Sequence, residues 1–377
     1  MFGNLTLLQL QQYWWFIIAI LAGLFVFITF VQGGQTLIFT IAKNEKQKSL
    51  LINSLGRKWE FSFTTLVMFG GALFAAFPLF YSVSFGGAYA VWMAILFTYI
   101  IEAVSYEYRK KHDNFLGQKT YEIFMFINGS LGILLIGTAL GTLFTGGSFY
   151  VNEYNLSMWK VSTYGLEAVL NPFNVAFGLM LLFLARIQGA LYFINNIHDE
   201  EIYKNAKKSL NTNIVLFLLF FLYVVYNLLT MNGFAYDPST KAVSVESYKF
   251  LHNLLALKIV GFGFFVVGVL LVLYALYITL FKGSKKGIWF SGIGSILVGI
   301  SLFSILGYNY TSFYPSLFDI QSSLTIENAS GSKYTLTTMS YVSLLVPVVL
   351  GYIFFAWRAM DKGGMDSESV ENDDMSY

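Results

Sequence analysis

Nine runs of apolar residues, each long enough to cross a bilayer as a helix, recur along this chain and leave few other folds open to it. They occupy about residues 13–41, 61–81, 85–106, 121–145, 167–196, 212–232, 253–281, 287–308 and 337–359. Charged residues make up 12% of the chain, against about 25% in a soluble domain. Hydrophobic residues make up 56%, and a soluble core that apolar would leave too little polar surface to cover it. The expected fold class is therefore an all-α polytopic membrane protein. The first run lacks a basic front and a small-residue cleavage site, so it reads as a retained span rather than a signal peptide.

The positions of the charges predict an orientation. Lys43, Lys46, Lys48, Arg57 and Lys58 follow the first run, and Arg109, Lys110, Lys111 and Lys119 follow the third. Lys204, Lys207 and Lys208 follow the fifth, Lys282, Lys285 and Lys286 the seventh, and Arg358 and Lys362 the ninth. The alternate loops hold only Lys160, Lys241, Lys249, Lys258 and Lys333, while Arg186 lies inside the fifth run. Basic residues collect on the cytoplasmic side, which puts the N-terminus outside and the C-terminus inside. Residues 1–360 then form one integral membrane domain. Residues 361–377, with Asp366, Glu368, Glu371, Asp373 and Asp374, read as an acidic, disordered cytoplasmic tail.

Several chemistries are closed to the chain. It has no Cys, which removes disulfides, thiolate metal sites, iron–sulfur clusters and a Cys nucleophile. A formal net charge of +2 gives no basic footprint for nucleic acid. Of three histidines, His112 and His198 fall in inner loops, and only His252 stands at a membrane edge. A hydrogen-bonded interfacial role suits His252 better than haem ligation, and no other metal ligand set is expected.

The stretch Lys58–Pro78 carries the most specific pattern. Glu60 to Pro78 is about 27 Å of helix at ~1.5 Å per residue, close to a bilayer core. Glu60, Thr64, Gly71, Ala75 and Pro78 fall on one face, a carboxylate at one end and small residues behind it. Small residues let another helix approach closely, so Gly71 and Ala75 are expected to form a packing face inside the bundle. Intramembrane ionisable groups are costly and tend to serve a function. Glu60, Glu107 and Glu122 lie near the inner surface, where a carboxylate is either a headgroup-level residue or a point of proton entry. Glu102 and Arg186 are deeper, and neither should stand alone in a low dielectric, so an ion pair between their spans is expected. Gln32-Gly33-Gly34-Gln35 interrupts the first run as a bend or packing notch, and Asn171-Pro172-Phe173 reads as a helix entry.

These segments together resemble subunit II of the cytochrome bd quinol oxidases. The resemblance rests on Ile52-Asn53-Ser54, Trp59-Glu60 and the block Gly70-Gly71-Ala72-Leu73-Phe74-Ala75-Ala76-Phe77-Pro78, which is its most specific part. It continues through Tyr106-Glu107-Tyr108-Arg109-Lys110-Lys111, Leu170-Asn171-Pro172-Phe173 and Gln188-Gly189-Ala190, then Ser322-Ser323-Leu324-Thr325, Leu336-Thr337 and Val346-Pro347. It implies nine transmembrane helices, as two four-helix bundles plus one further helix, packed against a similarly folded subunit I in the bacterial cytoplasmic membrane. It implies that subunit I holds the haems (b558, b595 and d) and the quinol site, that this chain ligates none, and that turnover reduces O2 to water and builds membrane potential without a pump. Some members carry a structural quinone in subunit II, and a small single-helix accessory subunit joins some complexes. The carboxylate after Trp59 would take part in a proton path from the cytoplasm, giving Glu60 that role with Glu107 and Thr64 as helpers. The chain departs from the family at Gln32 and Gln35, where two acids are usual, and at Glu102 and Arg186, where an Arg and an apolar residue are usual. Two other readings of the residues stand beside it: a secondary transporter, and a purely structural scaffold subunit.

Overall fold

The computed structural model describes residues 2–56, 58–362, 364 and 365. Among them, nine helices are long and apolar enough to cross a membrane. Their bounds are Leu7–Gln35, Trp59–Ala76 (preceded by a helix, Glu45–Gly56), Tyr89–Tyr108, Gln118–Thr145, Pro172–Asn196, Glu200–Thr230, Lys258–Lys282, Gly287–Gly307 and Lys333–Met360. The first span starts earlier than its apolar run because Thr6 and Gln9 form a reciprocal capping box at 3.2 and 2.9 Å. The fifth starts later: Asn171 caps Phe173 at 2.9 Å, and Pro172 takes the first helical position, where its missing N–H costs nothing. The sixth starts at Glu200, capped by Asp199 through Ile202 N at 2.8 Å. Lys204, Lys207 and Lys208 therefore ride on a helical extension rather than in a loop.

The first, fourth, fifth and eighth spans lie innermost. The first packs on the eighth, second and fifth, and the fifth also packs on the fourth and sixth. The third pairs with the fourth, and the seventh with the eighth. The ninth is mostly uncovered and leans on the N-terminal part of the first through Tyr13 to Ser343 and Trp14 to Ser340. Loops alternate between two ends. One end gathers three short hairpins, Phe149–Val151 with Ser157–Trp159, Gly233–Tyr236 with Val243–Glu246, and Ser312–Tyr314 with Leu324–Thr325. These interlock through Gly147 beside Ser316, Ala235 beside Thr311, and Lys241 on Glu327 at 2.7 Å. The other end gathers the basic clusters, joined by Gln47 to Glu201 at 2.8 Å, Asn205 to Ile41 O at 2.9 Å and Asn195 to Lys285 O at 2.9 Å.

Two glycine contacts fix how the first and fifth spans cross. A Cβ on Gly33 would lie 2.0 Å from the backbone C and O of Ala185, and one on Gly189 would lie 2.5 Å from Gly34 N. Only residues without side chains permit this backbone-to-backbone contact. The helix loosens on either side of the notch, where the hydroxyls of Thr29 and Thr36 donate back to Val26 O and Gly33 O at 2.7 and 2.6 Å.

The acidic tail begins differently from its sequence. Asp361 accepts from Lys58 Nζ, from Trp357 Nε1 at 2.7 Å and from Tyr192 OH at 3.2 Å. Met365 N donates to Asn196 O and Met365 O accepts from His198 N, both at 2.8 Å. The first residues past the ninth span are thus docked, because a buried lysine needs a counter-charge; residues 366–377 lie outside the described residues.

Candidate functional site

The sites expected from sequence divide into an outer face and a buried cluster on opposite sides of the second span. Glu60 and Thr64 point outward. The Glu60 carboxylate makes no hydrogen bond or ion pair among the described residues, whereas the Thr64 hydroxyl is spent on Glu60 O at 2.7 Å. Glu107 is exposed and pairs with Lys111 at 3.2 Å, one helical turn away. Gly71 is exposed and a Cβ there would meet nothing within 4 Å; Ala75 is half-buried beside Gly331. The expected packing face at Gly71 is therefore corrected: it does not pack inside this chain, since the second span turns Ser62, Phe69 and Leu73 inward instead.

The expected pair between Glu102 and Arg186 is also corrected, because each finds neutral partners. Arg186 Nε donates to Asn213 Oδ1 at 2.6 Å and its Nη1 to Thr36 O at 3.4 Å. Glu102 is completely buried. Its Oε1 accepts from Gln32 Nε2 at 3.0 Å and from Gln35 Nε2. Gln32 Nε2 also reaches Ser62 Oγ at 2.6 Å, and Gln35 Nε2 reaches Tyr106 OH at 3.1 Å. The two glutamines thus turn the notch of the first span into an amide clamp on one carboxylate. Trp59 stacks on Tyr106 with ring centroids 5.7 Å apart, closing the cluster towards the basic end. Asn128 enters from a π-helical segment of the fourth span and donates to Thr98 at 3.3 Å, one turn from Glu102.

Two buried ion clusters at the basic end were not anticipated. Glu122 is held by Arg109 through Nη2 at 2.8 Å and Nε at 3.1 Å, with Lys48 at 3.2 Å on its other oxygen. It is 1% exposed and ion-paired within the chain. Lys58, fully buried, pairs with Asp361 and lies 5.4 Å over the Tyr192 ring. The third-span cluster did leave a trace: Thr98, Glu102 and Tyr106 recur every four residues on one face, opposite the exposed Phe97, Ile100 and Val104. The partners of Asp361 left none, since Lys58 lies 303 residues away; Arg109 and Glu122 are only 13 residues apart, but their meeting depends on how the third and fourth spans pair.

Among the described residues no group of three or more His, Asp or Glu could hold a metal ion. The histidines lie at the surface, His112 beside Asp113 and His252 on Glu246 at 3.0 Å. A cleft of about 1100 Å³ separates the ninth span from the first, second and eighth, lined by Phe27, Thr64, Met68, Ile296, Trp357 and Arg358 among others.

The sequence is 26% identical over 375 residues to the cytochrome bd-I ubiquinol oxidase subunit 2 of Escherichia coli K12, covering 96% of this chain and 97% of that one. It is 26% identical over 378 residues to a probable cytochrome oxidase subunit 2 of Haemophilus influenzae, covering 96% and 97%. It is 24% identical over 363 residues to the cytochrome bd ubiquinol oxidase subunit 2 of Bacillus subtilis, covering 94% and 96%. A chain of the bd oxidase from Geobacillus thermodenitrificans shares the fold at TM-score 0.55 and 13% identity, over 94% of this chain and 99% of that one. The family model for cytochrome bd terminal oxidase subunit II matches residues 10–360. With nine apolar helices and that match across nearly its whole length, the chain belongs to the cytochrome bd terminal oxidase subunit II family and is a multi-pass membrane subunit of an oxidase complex.

Proposed function

We propose that this subunit supports quinol oxidation and O2 reduction to water in a partner subunit I, and gives protons access to that chemistry from the cytoplasm. The observation that carries the proton role is Glu60: it stands in the first turn of the second span, exposed and unpaired among the described residues. A carboxylate so placed is free to meet a partner or water, as a proton donor near the working pH must be. Glu107 lies near the same end, salt-bridged to Lys111 but exposed, and can gather protons from solvent. Thr64 enters only as a hydroxyl one turn deeper.

The haems b558, b595 and d are assigned to subunit I. The surface positions of all three histidines support this, since haem ligation in a bundle needs an inward-facing ligand. The face proposed for subunit I is the uncovered side of the second and third spans, with Val67, Gly71 and Phe74 beside Phe97 and Ile100. The unfilled space at Gly71 suits a partner helix at close range. In this reading the nine spans form two four-helix bundles plus the ninth, with the N-terminus outside the bacterial cytoplasmic membrane. A structural quinone belongs to the same reading: a wholly apolar crevice of about 210 Å³ along Leu140, Phe177, Phe217 and Leu302 suits an isoprenoid tail. A small single-helix accessory subunit completes the complex.

The test is Glu60→Gln in the assembled oxidase. The expected result is full haem content with O2 consumption reduced about 10²-fold or more, the usual contribution of a positioned proton-transfer group. Normal turnover with full haem content would leave Glu60 as a helix-end carboxylate and the subunit as a scaffold. A substrate transported in the absence of subunit I would favour the transporter reading.

A further inference from the structure

The cluster around Glu102 has more acceptors than donors. Glu102 Oε2, Gln32 Oε1, Gln35 Oε1 and Asn128 Oδ1 are all buried and all without a hydrogen-bond partner. Two donors nearby, Trp59 Nε1 and Tyr99 OH, are unused as well. Buried polar groups rarely go unpaired, and four orphaned acceptors beside two orphaned donors point to a ligand, such as water, that both donates and accepts. No cation balances Glu102 among the described residues. The faces turned to it carry Gln32 and Gln35 from the first span, Ser62 and Trp59 from the second, and Asn128 from the fourth, with Tyr99 and Tyr106 on its own helix. Arg186 of the fifth span is engaged with Asn213 and Thr36, and Arg109 and Lys48 are engaged with Glu122 two turns further along.

We propose that this pocket holds bound water and keeps Glu102 as a protonated carboxylic acid whose proton exchanges with solvent at the basic end. An ionised carboxylate would add an acceptor to a pocket already short of donors, in a membrane interior that penalises charge. The acid form supplies the missing donor at Oε2, and its hydrogen can be accepted, directly or through water, by the orphaned amide oxygens. The step is a simple transfer: hydronium at the basic end gives its proton, by way of bound water, to the Glu102 carboxylate and leaves water behind. Tyr106, bonded to Gln35 and stacked on Trp59, lies one turn from Glu102 towards that end. The site faces the interior of this subunit, opposite Glu60, so it stands or falls independently of the Glu60 reading.

The experiment is infrared spectroscopy of the assembled oxidase in H2O and D2O. The wild type is expected to show the C=O stretch of a protonated carboxyl that shifts downward in D2O. That band disappears in Glu102→Gln and persists in Glu60→Gln, while the Glu60 reading is judged separately by O2 turnover. Asn128→Leu, which removes one acceptor and leaves Glu102 in place, is expected to shift the band frequency and serves if Glu102→Gln does not assemble. An unchanged band in assembled Glu102→Gln, or in Asn128→Leu, overturns the proposal. So does a carboxylate signal that appears on adding sodium or potassium, which would make the pocket a cation site.

Discussion

Replacing Gly33 by alanine puts the crossing of the first and fifth spans to a direct test. The added methyl would lie 2.0 Å from both C and O of Ala185. Carbon contacts settle at about 3.5–4.0 Å, so the two helices must part by roughly 1.5 Å. Both obstructing atoms are backbone, and no rotamer change can relieve them. Overpacking of this kind costs about 1–3 kcal/mol. The same movement shifts Gln32 of the first span, whose 3.0 Å bond to Glu102 fails beyond ~3.5 Å. A hydrogen bond to a neutral, protonated carboxyl contributes about 0.5–1.5 kcal/mol. The expected destabilisation is therefore about 1.5–4.5 kcal/mol, read as a lowered melting temperature and reduced yield of the assembled complex in detergent. Gly351→Ala, where the methyl would meet nothing within 4 Å, is the matched control and should melt like wild type. A Gly33→Ala protein with the wild-type melting temperature would refute the close crossing and, with it, the account of why Gln32 and Gln35 converge on Glu102.

Two further outcomes follow from the ion clusters. Lys58→Met leaves Asp361 without its cation in a half-buried site and should cost about 3–5 kcal/mol, while adding Asp361→Leu should restore much of the loss; equal melting of single and double variants would count against the latch between the second and ninth spans. At the hairpin end, burial alone would raise the Glu246 pKa, but hydrogen bonds from His252 and Lys249 outweigh it and hold the carboxyl below its usual range. A depressed carboxylate adds stability above its unfolded pKa and loses it as pH falls through the folded one. Because the group is 38% exposed, Glu246→Gln should cost no more than about 1 kcal/mol at neutral pH. The difference should vanish in melts taken below the ordinary carboxylate range, and a difference that persists there would rule out the charge as its cause.

The sequence by itself determined the class and the count of spans. Hydrophobic length is a local property, and a bilayer leaves helices as the only way to satisfy the backbone of an apolar run. The caps at Asn171-Pro172 and the glycine pair at Gly33 and Gly34 were legible for the same reason, since turn chemistry and missing side chains act on nearest neighbours. The tertiary structure alone decided the partners. Glu102 meets Gln32 and Gln35 across 70 and 67 residues, and Lys58 meets Asp361 across 303. A helical wheel orders residues on one helix but does not say which face another helix will cover. That is why Gly71, small and well spaced, reads as buried yet lies open, while Ser62, two residues from Glu60, turns in to the amide clamp. Charge pairing inside a bundle depends on rotation about helix axes, and that rotation is set by the close contacts at Gly33 and Gly189, which bring the fifth span up to the notch and aim its two glutamines at Glu102.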